Sequence, residues 1–387
     1  MKNFKFPLSI YLLSHMKRIE STDNPYNILV DKDLVSYYEF IFRFYQELGK
    51  VKGTPKKIST LTTLLMIFQD LTQKQLQALT GYSLTSISNT LNVLQNVNFV
   101  EKIRIPGTHT FQYHMPPQIE NAIKQSIIRT HHLLKDTITY FRQVHGELTS
   151  PQLNQLQGAS YIQTQLKVNI KHFEFVNHVL ENFLGTLNNQ DITEMGNLEK
   201  QYADVFKPKN FPEKYIFRDL DAIIAGIEKQ IISHLQKSIF QPKKGTSKAL
   251  LMPYFITREF LTQKDLKKIS KLSVGQISGG LKELTQKNLC GFSTNLLSNP
   301  KSNRPIKVYY IKSLPYSLIY RLRQIFDKIF EFKPSFLKMQ KELKQKKSEW
   351  NDKNGFNKIL KYFTEFVSII TKYEEFNNYI QEIEQFI

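Results

Sequence analysis

The chain has 387 residues, more than one hydrophobic core usually serves, so two domains are expected. Its 41% hydrophobic and 12% aromatic content excludes a disordered chain, and 15 Gly with 15 Pro are few for an all-β protein. A formal charge of +19, from 53 Lys and Arg against 34 Asp and Glu, favours a polyanionic partner or an anionic membrane surface. The one cysteine, Cys290, excludes an intramolecular disulfide and points to a reducing compartment. Ser9, Ser14 and His15 interrupt the apolar N-terminal run and no small-residue cleavage site follows, so it does not read as a signal peptide. Nowhere do eighteen apolar residues run together, so no spanning helix is expected and the cytoplasm is the natural location.

From Asp33 to Leu48, Leu34, Tyr37, Tyr38, Ile41, Phe42, Phe44, Tyr45 and Leu48 recur at helical spacing, which predicts an aromatic packing helix stopped by Gly49. Ile58 to Phe68 predicts a second helix. Thr72 is the expected N-cap of a third, with Gln75 completing a capping box and Gly81 ending it. Ser83 then caps a helix running to about Asn96, with Ile87, Leu91 and Leu94 as its buried stripe. FVEKIRI and TFQYHM alternate around Pro106, Gly107 and Thr108 as a β-hairpin, and a helix-turn-helix followed by such a hairpin is a winged helix. Gln118 to His145 and Leu153 to Leu187 read as two long helices, and Asn188 to Pro212 as a junction.

The order then repeats. Shifted by 190 positions without a gap, Leu261 to Cys290 falls on Leu71 to Val100, with Leu71/Leu261, Thr72/Thr262, Leu76/Leu266, Ser83/Ser273, Ile87/Ile277, Leu91/Leu281 and Leu94/Leu284 among the identities. Cys290 thus matches Val100 and reads as a buried apolar slot. A leading helix from about Glu213 to Ser238 is expected, then a second wing from Phe292 to Leu297 and Lys307 to Ile311 with its tip at Ser298 to Pro305. Two helices near 317–347 and 356–386 follow. The fold class is therefore mainly α: two winged helix-turn-helix heads with small β-hairpin wings, joined by long scaffold helices. The first repeat covers 1–190, with its head at about 53–116 and helix pair at 118–187. The second covers 191–387, with linker and helix at 191–240, head at about 245–313 and helix pair at 317–386.

A helix-turn-helix lays its last helix in the major groove, where short polar side chains reach base edges. The face opposite the Ile87 stripe carries Thr85, Asn89 and Asn92, with Ser86 and Ser88 at its margins. Asn89 and Asn92 suit adenine edges, while Thr85, Ser86 and Ser88 suit bases or phosphates. In the second copy Gly275, Gly279 and Gly280 replace Thr85, Asn89 and Thr90, leaving Gln276, Ser278 and Lys282 as expected contacts. Charge is unequal as well: six positive residues against two negative from Lys52 to Met115 make +4, and fourteen against three from Lys243 to Lys312 make +11. The first head is thus expected to read sequence and the second to grip phosphates. Arg104 and His109 in the first wing, and Lys301, Arg304 and Lys307 in the second, complete the expected double-stranded DNA contacts, with Arg304 suited to a minor groove. A winged head used for protein contacts is the alternative.

Catalysis and cofactors find no motif: no Walker loop, Gly-x-Ser-x-Gly, HExxH or cysteine pair occurs. His131 and His132, or His172 and His178, lack one-face spacing, so no metal site is expected. The aromatics of the long helices, such as Phe141, Phe173, Phe363 and Phe366, read as core or as a pocket for a small-molecule effector.

The run LTQKQLQALTGYSLTSISNTLNVLQNVNFVEKIRIPGTHTFQY resembles the winged head of MarR-type regulators, especially the GbsR-like branch, in its leucine-rich helix, Ser-capped helix and glycine-containing wing ending in Tyr. The resemblance implies a DNA-binding transcription regulator of the kind that works as a homodimer. Two heads in one chain depart from that pattern and suggest a monomeric pseudo-dimer with heads about 34 Å apart, one DNA turn. A plasmid-type replication initiator with tandem winged helices and a protein-binding assembly subunit of transcription machinery are the alternatives.

Overall fold

A computed structural model describes residues 31–96, 99–115, 119–190, 201–202, 214–240, 247–286, 289–294, 306–311 and 314–385. The N-terminal stretch, most of the expected junction and the second hairpin tip, with Lys301 and Arg304, lie outside the described residues. The chain is mainly helical, with two antiparallel sheets of three strands each. None of the described helices is long and apolar enough to cross a membrane.

A 3-10 turn, Lys32–Leu34, capped by the Asp31 carboxylate, leads into α1, Val35–Lys52. This helix does not stop at Gly49. It runs on to Lys52 and ends at Gly53, whose φ of 64° is the left-handed cap. Gly49 instead lets α1 approach α2, Lys56–Phe68: a Cβ there would lie 2.3 Å from Ser59 Oγ. Next come β1, Asp70–Thr72, α3, Gln73–Thr80, α4, Leu84–Asn96, β2, Glu101–Arg104, and β3, Phe111–His114. The capping box at the start of α3 forms as expected: Thr72 Oγ1 accepts from Gln75 N at 3.2 Å and Gln75 Oε1 from Thr72 N at 2.8 Å. Gly81 ends α3 at φ 67°. The hairpin gains a third strand that sequence reasoning missed, since β1 pairs with β3 and puts Leu71 opposite Tyr113. Helices α2 to α4 with this sheet form the first module.

Three helices follow: α5, Ile119–Leu148, the short α6, Pro151–Asn154, and α7, Ala159–Leu187. The second repeat supplies α8, Ala222–Leu235, with a π-helical turn at Gln236–Phe240, then α9, Ser247–Thr257, β4, Phe260–Thr262, α10, Gln263–Ser270, and α11, Val274–Gln286. Strands β5, Cys290–Ser293, and β6, Val308–Ile311, close a sheet of order β4-β6-β5, the counterpart of β1-β3-β2. Helices α9 to α11 with this sheet are the second module. Its core joins Leu251, Phe255, Leu261, Leu266, Ile277, Leu281, Leu284 and Cys290, so the thiol sits in the apolar slot expected from Val100. Lys271, where the first repeat has Gly81, takes φ 52° and bears a strain of roughly 1 kcal/mol. The chain ends with α12, Leu314–Gln345, the short α13, Lys347–Trp350, and α14, Phe356–Glu384.

The compact units cut across the sequence repeats at 1–190 and 191–387. One comprises residues 1–125 and 321–377, the other 126–320 and 378–387. In the first, the leading helix α1 packs on the helix pair of the other repeat: Phe40 meets Phe336 at 4.8 Å between ring centroids, and Phe44 meets Phe336 at 5.1 Å and Phe366 at 5.0 Å. Each such pair adds about 1 kcal/mol beyond area burial. In the second, α8 and α9 pack on α5 and α7: Tyr140 stacks on His234 at 4.2 Å, and Asn169 Nδ2 donates to the Ile256 carbonyl at 3.0 Å. Exchange is reciprocal, down to the glycines that immediately precede α7 and α14. A Cβ on Gly158 would meet Leu220 at 2.2 Å, and one on Gly355 would meet the Tyr38 hydroxyl at 2.6 Å, each just ahead of or within the other repeat's leading helix.

The two leading helices are anchored by opposite chemistries at matching positions. Tyr38 of α1 stacks on Phe68, with centroids 5.5 Å apart and planes at 16°. Residues 190 positions later are Glu228 and Arg258, an ion pair 4% and 5% exposed, with Nε 2.7 Å from Oε1 and Nη2 2.8 Å from Oε2. Thr257 Oγ1 also donates to Oε1 at 2.9 Å, and Arg258 Nη1 to the Arg218 carbonyl at 2.6 Å. Burial pulls the Arg258 pKa down, but hydrogen bonding to Glu228 and its charge reverse that, so the net shift is upward.

Candidate nucleic-acid interface

Helix α4 is oriented by its apolar stripe. Ile87, Leu91 and Leu94 are buried, which leaves Thr85, Asn89 and Asn92 exposed and Ser86 and Ser88 half-buried at the margins. Thr90 is buried, its hydroxyl donating to the Ser86 carbonyl at 2.8 Å. Ser83 Oγ accepts from Ser86 N at 3.3 Å, so the serine cap holds the helix start. Lys57, from the first turn of α2, reaches the same place: its Nζ donates to Ser86 Oγ at 2.9 Å and lies 5.6 Å from the Tyr82 ring centre. Sequence reasoning counted Lys57 only as charge. Twenty-nine positions separate it from Ser86, and no local pattern joins them.

The hairpin after α4 brings Arg104 and His109 together at its tip. Arg104 Nε donates to the Thr108 carbonyl at 3.0 Å, and Nη2 lies 3.4 Å from His109 Nδ1. Further down, Lys102 sits 4.0 Å over the Phe111 ring, and in the second module Lys307 sits 4.2 Å over Phe292. Both hairpins thus present a cation lying on an exposed aromatic face.

On α11, Ser278 and Lys282 are exposed as expected, but Gln276 is not a free donor-acceptor. Its Oε1 accepts from Ser273 N at 2.9 Å while its own N donates to Ser273 Oγ at 3.2 Å, a capping box that commits its carbonyl to the helix start. The glycine face needs a similar correction. Gly280 is buried, like its counterpart Thr90, whereas Gly275 and Gly279 face open space. Gly279→Ala is therefore expected to raise stability by about 1 kcal/mol, read as a higher urea midpoint; a lower midpoint would mean the backbone there is held close to a neighbour.

The basic surplus of the second module is reduced by one, because Arg258 is buried against Glu228. Lys268 is exposed but paired with Asp219 at 2.7 Å. Lys264, Lys267, Lys271, Lys282 and Lys307 remain as exposed cations, while Lys243, Lys244, Lys287 and Lys312 lie outside the described residues.

Away from these faces, His131 Nδ1 comes within 3.6 Å and His178 Nδ1 within 4.0 Å of the Glu181 carboxylate. Burial lowers both imidazole pKa values and favours the neutral form. No group of three His, Cys, Asp or Glu among the described residues is arranged to hold a metal ion. A cleft lined by Ile41, Met66, Gln69, Lys358, Lys361 and Tyr362 encloses about 50 Å³, room for one or two waters and not for a drug-sized effector.

No protein-family model matches the chain, and no curated protein matches it in sequence.

Proposed function

We propose that this chain is a cytoplasmic, double-stranded DNA-binding transcription regulator, and that its two modules are winged helix-turn-helix heads of the MarR type, GbsR-like branch. The observation that carries the reading is the α4 face: Thr85, Asn89 and Asn92 stand free of the core, with Lys57 held against Ser86 at the helix start. Amides that suit adenine edges thereby stand on a helix whose first turn holds a cation that suits a phosphate. The reading assigns the chain no catalytic step, and the contacts it uses are Thr85, Ser88, Asn89 and Asn92 for bases, with Lys57, Lys102, Arg104, Lys282 and Lys307 for phosphates.

The single-chain pseudo-dimer is supported by the reciprocal packing of each leading helix on the other repeat's helix pair. Two copies of one half-chain would make the same exchange between subunits, and here a single chain contains both halves. The proposed footprint of one chain is roughly two DNA turns.

The test is duplex affinity against salt together with stoichiometry. About five phosphate contacts predict a log-log slope near −4 to −5 and one chain per short duplex in light scattering. Salt-insensitive binding to a protein, without duplex binding, would replace this reading with that of an assembly subunit. Two chains per short site would remove the pseudo-dimer.

A further inference from the structure

Leu84 and Val274 are the first residues of α4 and α11, at matching positions of the two repeats. Both side chains stand in solvent, 41% and 52% exposed. A single exposed aliphatic is ordinary on any surface. These two keep an aliphatic at one position, while the outward-facing Thr85 and Asn89 of the first copy are Gly275 and Gly279 in the second. By spacing, Leu84 extends the Ile87 and Leu91 stripe, yet those two are fully buried and Leu84 is not: the first turn projects beyond the core. Each aliphatic therefore shares an edge with the polar or open face of its helix.

We infer that Leu84 and Val274 are thymine readers, each packing on a thymine 5-methyl group in the major groove, so that both heads select A·T pairs. The inference rests on the duplex-binding reading above and names the base class that reading leaves open. On the base edges of the major groove the thymine methyl is the one apolar group, and an aliphatic side chain at the start of an inserted helix has no other base feature to bury against. Asn89 and Asn92 suit adenine, so the face of α4 carries complementary chemistry for both members of an A·T pair. For α11, where Gly275 and Gly279 offer no side chain, Val274 supplies a base contact that the open glycines permit by letting the helix sit close.

The experiment compares thymine with deoxyuridine, which keeps the pairing and charge and lacks only the methyl. The full chain is used to recover its tightest-bound duplex of roughly 40 base pairs from a random library, and that duplex is resynthesised with deoxyuridine at every thymidine. Wild-type protein is expected to lose about fourfold affinity per contacted methyl, roughly fifteenfold for both heads. The Leu84→Ala, Val274→Ala double variant, whose folding is checked by circular dichroism, is expected to bind the two duplexes alike. Wild-type protein binding both equally, with steep salt dependence intact, overturns the thymine inference while leaving the DNA reading standing. So does a variant that keeps the full preference for thymine. Absence of salt-dependent binding to any duplex in the library sinks the function itself and the inference with it. The wild-type comparison needs no substitution, so a variant that fails to fold does not rescue the proposal.

Discussion

Asn89→Ala is expected to weaken binding to the preferred duplex by roughly tenfold or more and to leave binding to random duplex nearly unchanged. Asn89 is exposed on α4 and makes no core contact, so the loss comes from a bidentate amide to adenine and not from folding. Lys57→Ala is the contrasting control. It removes a cation held against Ser86 at the helix start, so both duplexes should weaken together and the salt slope should fall by about one. Fluorescence anisotropy on the two duplexes, with thermal melting to confirm unchanged stability, reads both variants. An equal loss on both duplexes for Asn89→Ala would end the assignment of α4 as the sequence reader.

Glu228→Ala is expected to destabilise the unit built from α5, α7, α8 and the second module by about 3–5 kcal/mol, because it leaves the Arg258 guanidinium buried and without its carboxylate. The chain contains its own control for this substitution. At the matching positions of the first repeat, Tyr38 stacks on Phe68 and holds α1 to α2 without any charge. Glu228→Tyr combined with Arg258→Phe should therefore recover most of the loss, since a packed apolar pair of similar volume often equals a buried ion pair. The carbonyl of Arg218 and the hydroxyl of Thr257 lose a partner in that variant, so recovery is expected to stop short by about 1 kcal/mol. Urea unfolding measures both. A Glu228→Ala cost below about 1 kcal/mol would mean that water reaches Arg258 and that the pair does not anchor α8.

The sequence by itself determined what is local in this protein. The Thr72–Gln75 capping box, the Ser83 cap and the Gly81 stop were readable because each is a hydrogen-bond or φ requirement satisfied within four residues. The exposed Thr85, Asn89 and Asn92 face was readable for a related reason: a buried 3.6-residue stripe dictates what lies opposite it. Duplication was visible because matching cores keep matching apolar positions, from Leu71 and Leu261 to Val100 and Cys290.

Tertiary structure alone decided which faces meet. The strands Asp70–Thr72 and Phe260–Thr262 are too short to show alternation and exist because β3 and β6 offer them an edge. Arg258 reads as surface charge until Glu228, thirty positions earlier, is found beside it. Leu84 fits the buried stripe by spacing, and its exposure follows from where the core ends. Above all, periodicity says that α1 and α8 each have an apolar face but not which helix pair covers it. That choice depends on long-range packing of Phe40 and Phe44 against Phe336 and of Tyr140 against His234, and it exchanges the two repeats. A repeat drawn as one block in the chain is thus divided between two compact units, because an apolar stripe specifies burial and leaves its partner to the fold.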